Sequence, residues 1–339
     1  MDLIFITAGD INGIGNELIL KFINSKEISD NNQYIIIGNR AVFDETARIL
    51  DLSIKNINDI FEAEIDSIES SGFYFLDIQI ENLKLEFGKP TAEAGYLSGL
   101  AIKKGVEFSE RYSGTLVTAP INKYSLHLGG FNYPGHTEFI ADLLNTDAFL
   151  MILDGEIIKV ALVTTHIALK DVSSALSIVS IYKKGKLLYE SLQRDYGIKE
   201  PKITVCSLNP HASDNGLFGD EEQKVISPAV EKLNREVCRG NGAFTDPLPS
   251  DTAFTKSYMK NTNAYLVMYH DQGLIPLKLL SFGNAVNFTA GLPIIRTSPD
   301  HGTAYDIAGK GVADINSFQN AVKKAGLFMK NRNSTLREF

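Results

Sequence analysis

The chain has 339 residues, 44% of them hydrophobic and 22% charged, which is the make-up of a globular protein with one large or two medium domains. Its net charge of −8, from 33 basic and 41 acidic side chains, speaks against a broad nucleic-acid surface but leaves room for a small anion held by a few local cations. Two cysteines without a C-x-x-C pair exclude a disulfide scaffold and fit a reducing cytoplasm. No basic leader precedes an apolar stretch, and no run reaches the ~18 apolar residues of a membrane span, so neither a signal peptide nor a membrane partner is expected.

Leu3–Thr7 is an apolar run that ends at Ala8-Gly9 and suits a buried strand. A glycine-rich turn, Gly9 to Gly15, leads into a helical pattern from Glu17 to Asn24. Strand, glycine turn and helix can form an anion site, but the spacing is not the dinucleotide fingerprint. A tight turn and a phosphate loop both fit. Tyr34–Gly38 reads as a second strand, Arg40–Leu50 as a helix, and Phe73–Leu76 as a third strand within a polar stretch from Asp51 to Leu85. A helix is expected to about Arg111 with Thr91 as its N-cap, followed by a strand at Thr115–Pro120. His136-Thr137 follows turn residues at the head of a helix, where the pair could donate to an anion or Thr137 could simply cap. Strands alternating with helices indicate an α/β protein with a largely parallel sheet.

One pattern then repeats. Ile157–Val163 ends in Thr164-Thr165-His166, Lys202–Leu208 ends in Asn209-Pro210-His211, and Ala264–Tyr269 ends in His270. In open α/β sheets ligands bind outside the carboxyl ends of the strands, so three histidines placed there can converge. One alone would be an ordinary core or surface histidine; three in equivalent positions read as a catalytic metal site with an open position. Imidazoles suit zinc, cobalt, nickel or iron better than magnesium. Asp251, before a helix, could be a fourth ligand, a substrate contact or an N-cap. The acidic start of the next helix, Asp220-Glu221-Glu222, reads as complementing the helix dipole, and the polar end from Lys330 to Phe339 as frayed.

Rare strings in fixed order carry a resemblance: Thr118–Lys123 (TAPINK), PGHTEF, Val163–Leu169 (VTTHIAL), Ser207–Glu222 (SLNPHASDNGLFGDEE), Leu248–Phe254 (LPSDTAF), Tyr269–Lys278 (YHDQGLIPLK) and Gly291–Ala304 (GLPIIRTSPDHGTA). With these the chain resembles the 4-hydroxythreonine-4-phosphate dehydrogenase family over nearly its whole length. The first loop departs from the family by carrying Ile11 and Asn16 where prolines are usual, and Pro299 before Asp300 is also atypical.

The resemblance implies an isocitrate/isopropylmalate dehydrogenase-like α/β fold: two α/β domains sharing an extended sheet, with an active-site cleft between them. Residues 1–128 and 282–339 would form the cofactor-side domain and 129–281 the central one. It implies a homodimer with a shared active site, NAD(P), and one divalent metal per site (zinc, cobalt or magnesium) on His166, His211 and His270, one of these coming from the partner chain. His136, Thr137, Lys278, Asn287 and Arg296 would bind the phosphorylated substrate. His301, Gly302, Thr303 and Ala304 would hold the adenosine, and Lys278 or Asp251 would be the catalytic base. The implied reaction is oxidation of 4-phosphohydroxy-L-threonine at C3, followed by decarboxylation to 3-amino-2-oxopropyl phosphate, in pyridoxal-phosphate biosynthesis. Competing readings are oxidation of threonate or erythronate 4-phosphate, phosphate acyl transfer, and zinc-dependent hydrolysis.

Overall fold

The apolar runs become strands because buried parallel strands need both faces covered, and so read as near-continuous Val/Ile/Leu sequence. The computed structural model of the chain describes residues 2–25, 31–54, 56–81, 83–281 and 283–337. Among these it has strands β1 (Leu3–Thr7), β2 (Gln33–Gly38), β3 (Ile57–Ile60), β4 (Gly72–Asp77), β5 (Thr115–Thr118), β6 (Leu150–Asp154), β7 (Lys159–Leu162), β8 (Ile203–Val205), β9 (Ala264–Val267), β10 (Val286–Ala290) and β11 (Ile295–Pro299). The fold is α/β, as the alternation of elements indicated. The chain divides into two compact units, one of Met1–Asp147 with Leu292–Lys330, the other of Ala148–Gly291 with Asn331–Phe339.

In the first unit the strand order is β3-β4-β2-β1-β5-β11, and every neighbouring pair is parallel. All six residues of β2 are buried. The helix Ala92–Arg111 begins where expected, with the Thr91 hydroxyl accepting from Ala94 N at 3.2 Å.

In the second unit the order is β10-β6-β7-β9-β8. Pairs β10–β6 and β6–β7 are antiparallel, whereas β7–β9 and β9–β8 are parallel. The antiparallel strand β6 was not read from the sequence. Its signal was Asp154-Gly155 between two apolar runs, a common hairpin turn pair. The helix His270–Ser281 lies close on this sheet, because a Cβ on Gly273 would come within 2.2 Å of Val160 Cγ1. Cys206 and Cys238 are free and buried, and burial pushes the Cys206 thiol up to about 12, so it is inert. Among the described residues no helix is long and apolar enough to cross a membrane.

The expected fraying from Lys330 does not occur at its start. The last helix runs Asn316–Arg337, and residues 338 and 339 lie outside the described residues. Asn331 Nδ2 donates to the Asp195 carbonyl at 2.7 Å and Arg332 Nε to Asp195 Oδ1 at 2.6 Å. Asp195 is fully buried and also takes Arg194 and the Ser191 hydroxyl. A buried carboxylate requires such partners, and that requirement anchors the polar segment.

Burial pushes the Asp195 carboxyl up, but the bonds and charges of Arg194 and Arg332 outweigh it and hold the group below its ordinary value. The stabilisation is therefore present above about pH 4 and is lost as pH falls through the lowered pKa. Asp195→Ala should cost about 3 kcal/mol by removing the carboxylate that holds the largely covered Arg332. Asp195→Asn should flatten the acid limb of stability, read as the urea midpoint between pH 2 and 6. An unchanged acid limb would remove Asp195 from this role.

Candidate active site

The three expected metal-ligating histidines all lie just past strands of the second unit. β7, β9 and β8 are neighbours and run parallel, so their carboxyl ends share one sheet edge. His166 follows β7, His270 follows β9 and His211 follows β8. The rings of His166 and His270 have centroids 5.8 Å apart. Two imidazoles sharing one ion, at metal–nitrogen bonds of about 2.0–2.1 Å, hold their ring centres roughly 5–6 Å apart. The pair lies near that separation. His270 Nδ1 pairs with Asp271 Oδ1 at 2.7 Å, which leaves Nε2 as the ligating nitrogen. Both rings line a cavity of about 430 Å³ with Thr165, Leu169, Val172 and Tyr269.

His211 does not complete a trio within one chain: among the described residues no group of three His, Cys, Asp or Glu side chains could hold a metal. Its ring lies 6.4 Å from that of Phe218. His211 also begins six consecutive residues at positive φ, five non-glycine ones between 45° and 67° and then Gly216 at 95°. Non-glycine residues there cost about 1–2 kcal/mol each, so the turn needs outside anchors. Glu222 supplies them. It is 3% exposed, and its Oε1 accepts from Leu208 N and Asn209 N at 2.8 Å each. The acidic cluster was expected to complement a helix dipole. Glu222 does lie in the first turn of the π-helical segment Glu222–Ile226, and it also accepts from these two backbone amides.

In the first unit Arg296, the second residue of β11, is 1% exposed. The Thr118 hydroxyl accepts from its Nε at 3.2 Å and its Nη2 at 2.7 Å. Burial pushes the guanidinium down to about 9 while Glu138 pulls it back up, so it stays charged at neutral pH. His136 opens the helix His136–Leu143, and its buried Nε2 has no hydrogen-bond partner. Burial, then the Arg296 charge, hold its pKa well below the ordinary value, so the imidazole is neutral. Thr137 is buried one residue inside the helix, whose cap is Gly135, so it is not the N-cap. A buried cation beside an unmatched buried nitrogen suits an anionic ligand.

The remaining expected residues stand as follows. Asn287, on β10, has a buried Oδ1 without a hydrogen-bond partner. Lys278 is exposed on the helix that His270 begins. Asp251 is exposed in the first turn of Ser250–Ala253; the cap there is Pro249.

The loop His301–Ala304 rests on the first glycine turn. Ile14 N donates to Thr303 O at 3.1 Å, and a Cβ on Gly13 would meet Thr303 at 2.9 Å. Tyr305 adds a hydroxyl bond to Asp10 Oδ2 at 2.8 Å. The turn from Gly9 to Gly15 is buried against its own chain, with Gly9 at φ +70° and no room for a Cβ beside Pro120 O. It is a packing turn and not an open phosphate loop. His301 Nδ1 lies 3.1 Å from Gly302 O, so it carries the proton and leaves the buried, unpartnered Nε2 as an acceptor. An acceptor of this kind fits the exocyclic amine of an adenine. Tyr305 was not singled out from the sequence, and Thr118, Asp10 and Glu222 entered only as members of longer strings; their contacts depend on neighbours distant in the chain.

Residues 30–325 match the family described as pyridoxal phosphate biosynthetic protein PdxA. A 4-hydroxythreonine-4-phosphate dehydrogenase of Sulfurihydrogenibium sp. is 42% identical over 330 residues, covering 96% of this chain and 98% of the relative. A protein of Oceanobacillus iheyensis, provisionally named a D-threonate 4-phosphate dehydrogenase, is 38% identical over 325 residues, 95% of this chain and 96% of that one. The crystal structure of the Klebsiella pneumoniae 4-hydroxythreonine-4-phosphate dehydrogenase superposes with a TM-score of 0.85 at 34% identity, covering 97% of this chain and 100% of that chain. Sequence and fold thus agree, and the chain belongs to the PdxA family of pyridoxal phosphate biosynthetic proteins.

Proposed function

We propose that the chain is an NAD(P)- and divalent-metal-dependent dehydrogenase of 4-phosphohydroxy-L-threonine, working in the cytoplasm in pyridoxal-phosphate biosynthesis. The observation that carries the reading is the His166–His270 pair in a chain that matches the family over nearly its full length. When bound, the nicotinamide supplies a hydride acceptor for C3, and a divalent ion on His166, His270 and His211 supplies Lewis acidity at the C3 oxygen. Zinc or cobalt suits imidazole better than magnesium does.

The chain's own residues do the rest. Arg296 holds the substrate phosphate through charge-assisted bonds, and His136 offers a neutral nitrogen to the same ligand. Thr137, Asn287 and Lys278 complete the substrate contacts. Lys278 or Asp251 takes the hydroxyl proton; both are solvent-facing. His301, Gly302, Thr303 and Ala304 hold the adenosine end of the cofactor. The keto acid product has its carboxylate β to the new ketone, so carbon dioxide leaves to give 3-amino-2-oxopropyl phosphate.

A homodimer is part of this reading. His166 and His211 are exposed in a single chain, beside the exposed apolar side chains Ile167, Leu169, Leu217 and Phe218. Apolar surface of this kind marks an association face. In a two-fold dimer it would also bring an imidazole of one chain to the pair of the other. The second reading, oxidation of threonate 4-phosphate, is favoured by the Oceanobacillus relative.

Purified protein should form NADH, followed at 340 nm, from 4-phosphohydroxy-L-threonine, and a chelator should abolish it. Turnover of threonate or erythronate 4-phosphate alone would replace the substrate, and turnover of none would end the dehydrogenase reading. Arg296→Lys keeps the charge but loses the planar fork. It should raise KM for the phosphorylated substrate about 10–100-fold, the equivalent of a lost charge-assisted bond. An unchanged KM would move the phosphate elsewhere.

A further inference from the structure

The three histidine-bearing turns are cross-linked by one buried hydrogen-bond system. Met268, two residues before His270, is its centre. Its carbonyl accepts from Thr164 Oγ1 at 2.6 Å and Thr164 N at 3.2 Å, and Thr164 lies two residues before His166. Its N–H donates to Gln272 Oε1 at 2.6 Å. The amide nitrogen of the same glutamine donates to Ser207 O at 2.5 Å, four residues before His211, and to Ser250 Oγ at 2.7 Å, next to Asp251. Gln272 is 7% exposed and does not line the cavity that His166 and His270 line.

We propose that Gln272 is a positioning residue for the metal site: its buried amide, with Thr164, sets the spacing of the turns that carry His166, His211 and His270. The inference rests on the histidine-site reading above. Both ends of the amide are committed, so it can neither flip nor shift without orphaning a buried backbone group. Its geometry suits a brace, since one end holds the turn after β9 and the other the turn after β8. In a two-fold dimer the brace fixes both halves of each equivalent site, whichever chain supplies the third imidazole.

The test measures affinity for Zn²⁺ by competition with a chromophoric chelator on the purified full chain, the visible spectrum of the Co²⁺-loaded protein, and the Tm of the metal-free protein. Gln272→Leu should weaken Zn²⁺ about 10–100-fold, as loss of a ligand-orienting partner does, and change the Co²⁺ bands. Asn234→Leu is the control. That side chain braces Phe244 through N–H and carbonyl at 2.9 Å each, in the same unit, and lines no part of the histidine cavity. Its loss should lower Tm and leave Zn²⁺ affinity unchanged. If Gln272→Leu does not fold, Gln272→Glu keeps the acceptor for Met268 N and loses the donor to Ser207 O, and should give a smaller loss of affinity. Wild-type affinity and bands in the Gln272 variants, with Zn²⁺ lost in His270→Ala, would overturn the brace and leave the site standing. Zn²⁺ retained in His270→Ala would overturn the histidine reading and the brace with it.

Discussion

Backbone groups at the end of a parallel strand lose their ladder partners, and when the strand end is buried something else must take them. That constraint organises the second unit. β7, β9 and β8 stop at one edge, and the peptides just beyond them are satisfied by Thr164, Gln272 and Glu222. The histidines are carried by the very turns these side chains hold. A costly run of positive-φ residues at His211 persists because Asn209, immediately before Pro210, is tied to Glu221 and Glu222.

The first unit meets a related constraint differently. Its first glycine turn is closed by the chain itself, against Pro120, Thr303 and the Asp10–Tyr305 bond. The absence of side chains at Gly9 and Gly13 serves close packing, and the loop His301–Ala304 gains a rigid support. Two buried ring nitrogens of this unit, His136 Nε2 and His301 Nε2, have no hydrogen-bond partner, and the buried cation Arg296 acts on the former. Buried polar atoms left without a partner carry a cost in the folded chain.

Much of this was legible in the residues. The apolar runs at Leu3–Thr7, Tyr34–Gly38 and Ala264–Tyr269 are strands or contain them, and Thr91 caps its helix. Other features were hidden for physical reasons. β6 runs antiparallel to both its neighbours, and its pairing with β10 joins segments far apart in the chain. Thr137, read as either an anion donor or a helix cap, is not the cap, since Gly135 takes that position and the helix starts at His136. Lys330 to Arg332 looked frayed because they are polar, but a buried carboxylate 137 positions away holds Arg332.

The sequence by itself determined the α/β alternation, the glycine turns and the histidines just past three strands, because periodicity and turn chemistry are local properties of the chain. Only the tertiary structure decided that β9 lies between β7 and β8, so that the His166 and His270 turns become neighbours. It also decided that Gln272 and Glu222, unremarkable as residues, would be buried where strand-end amides and carbonyls need partners. Strand order and burial are set by contacts between residues far apart in sequence, which no local pattern encodes.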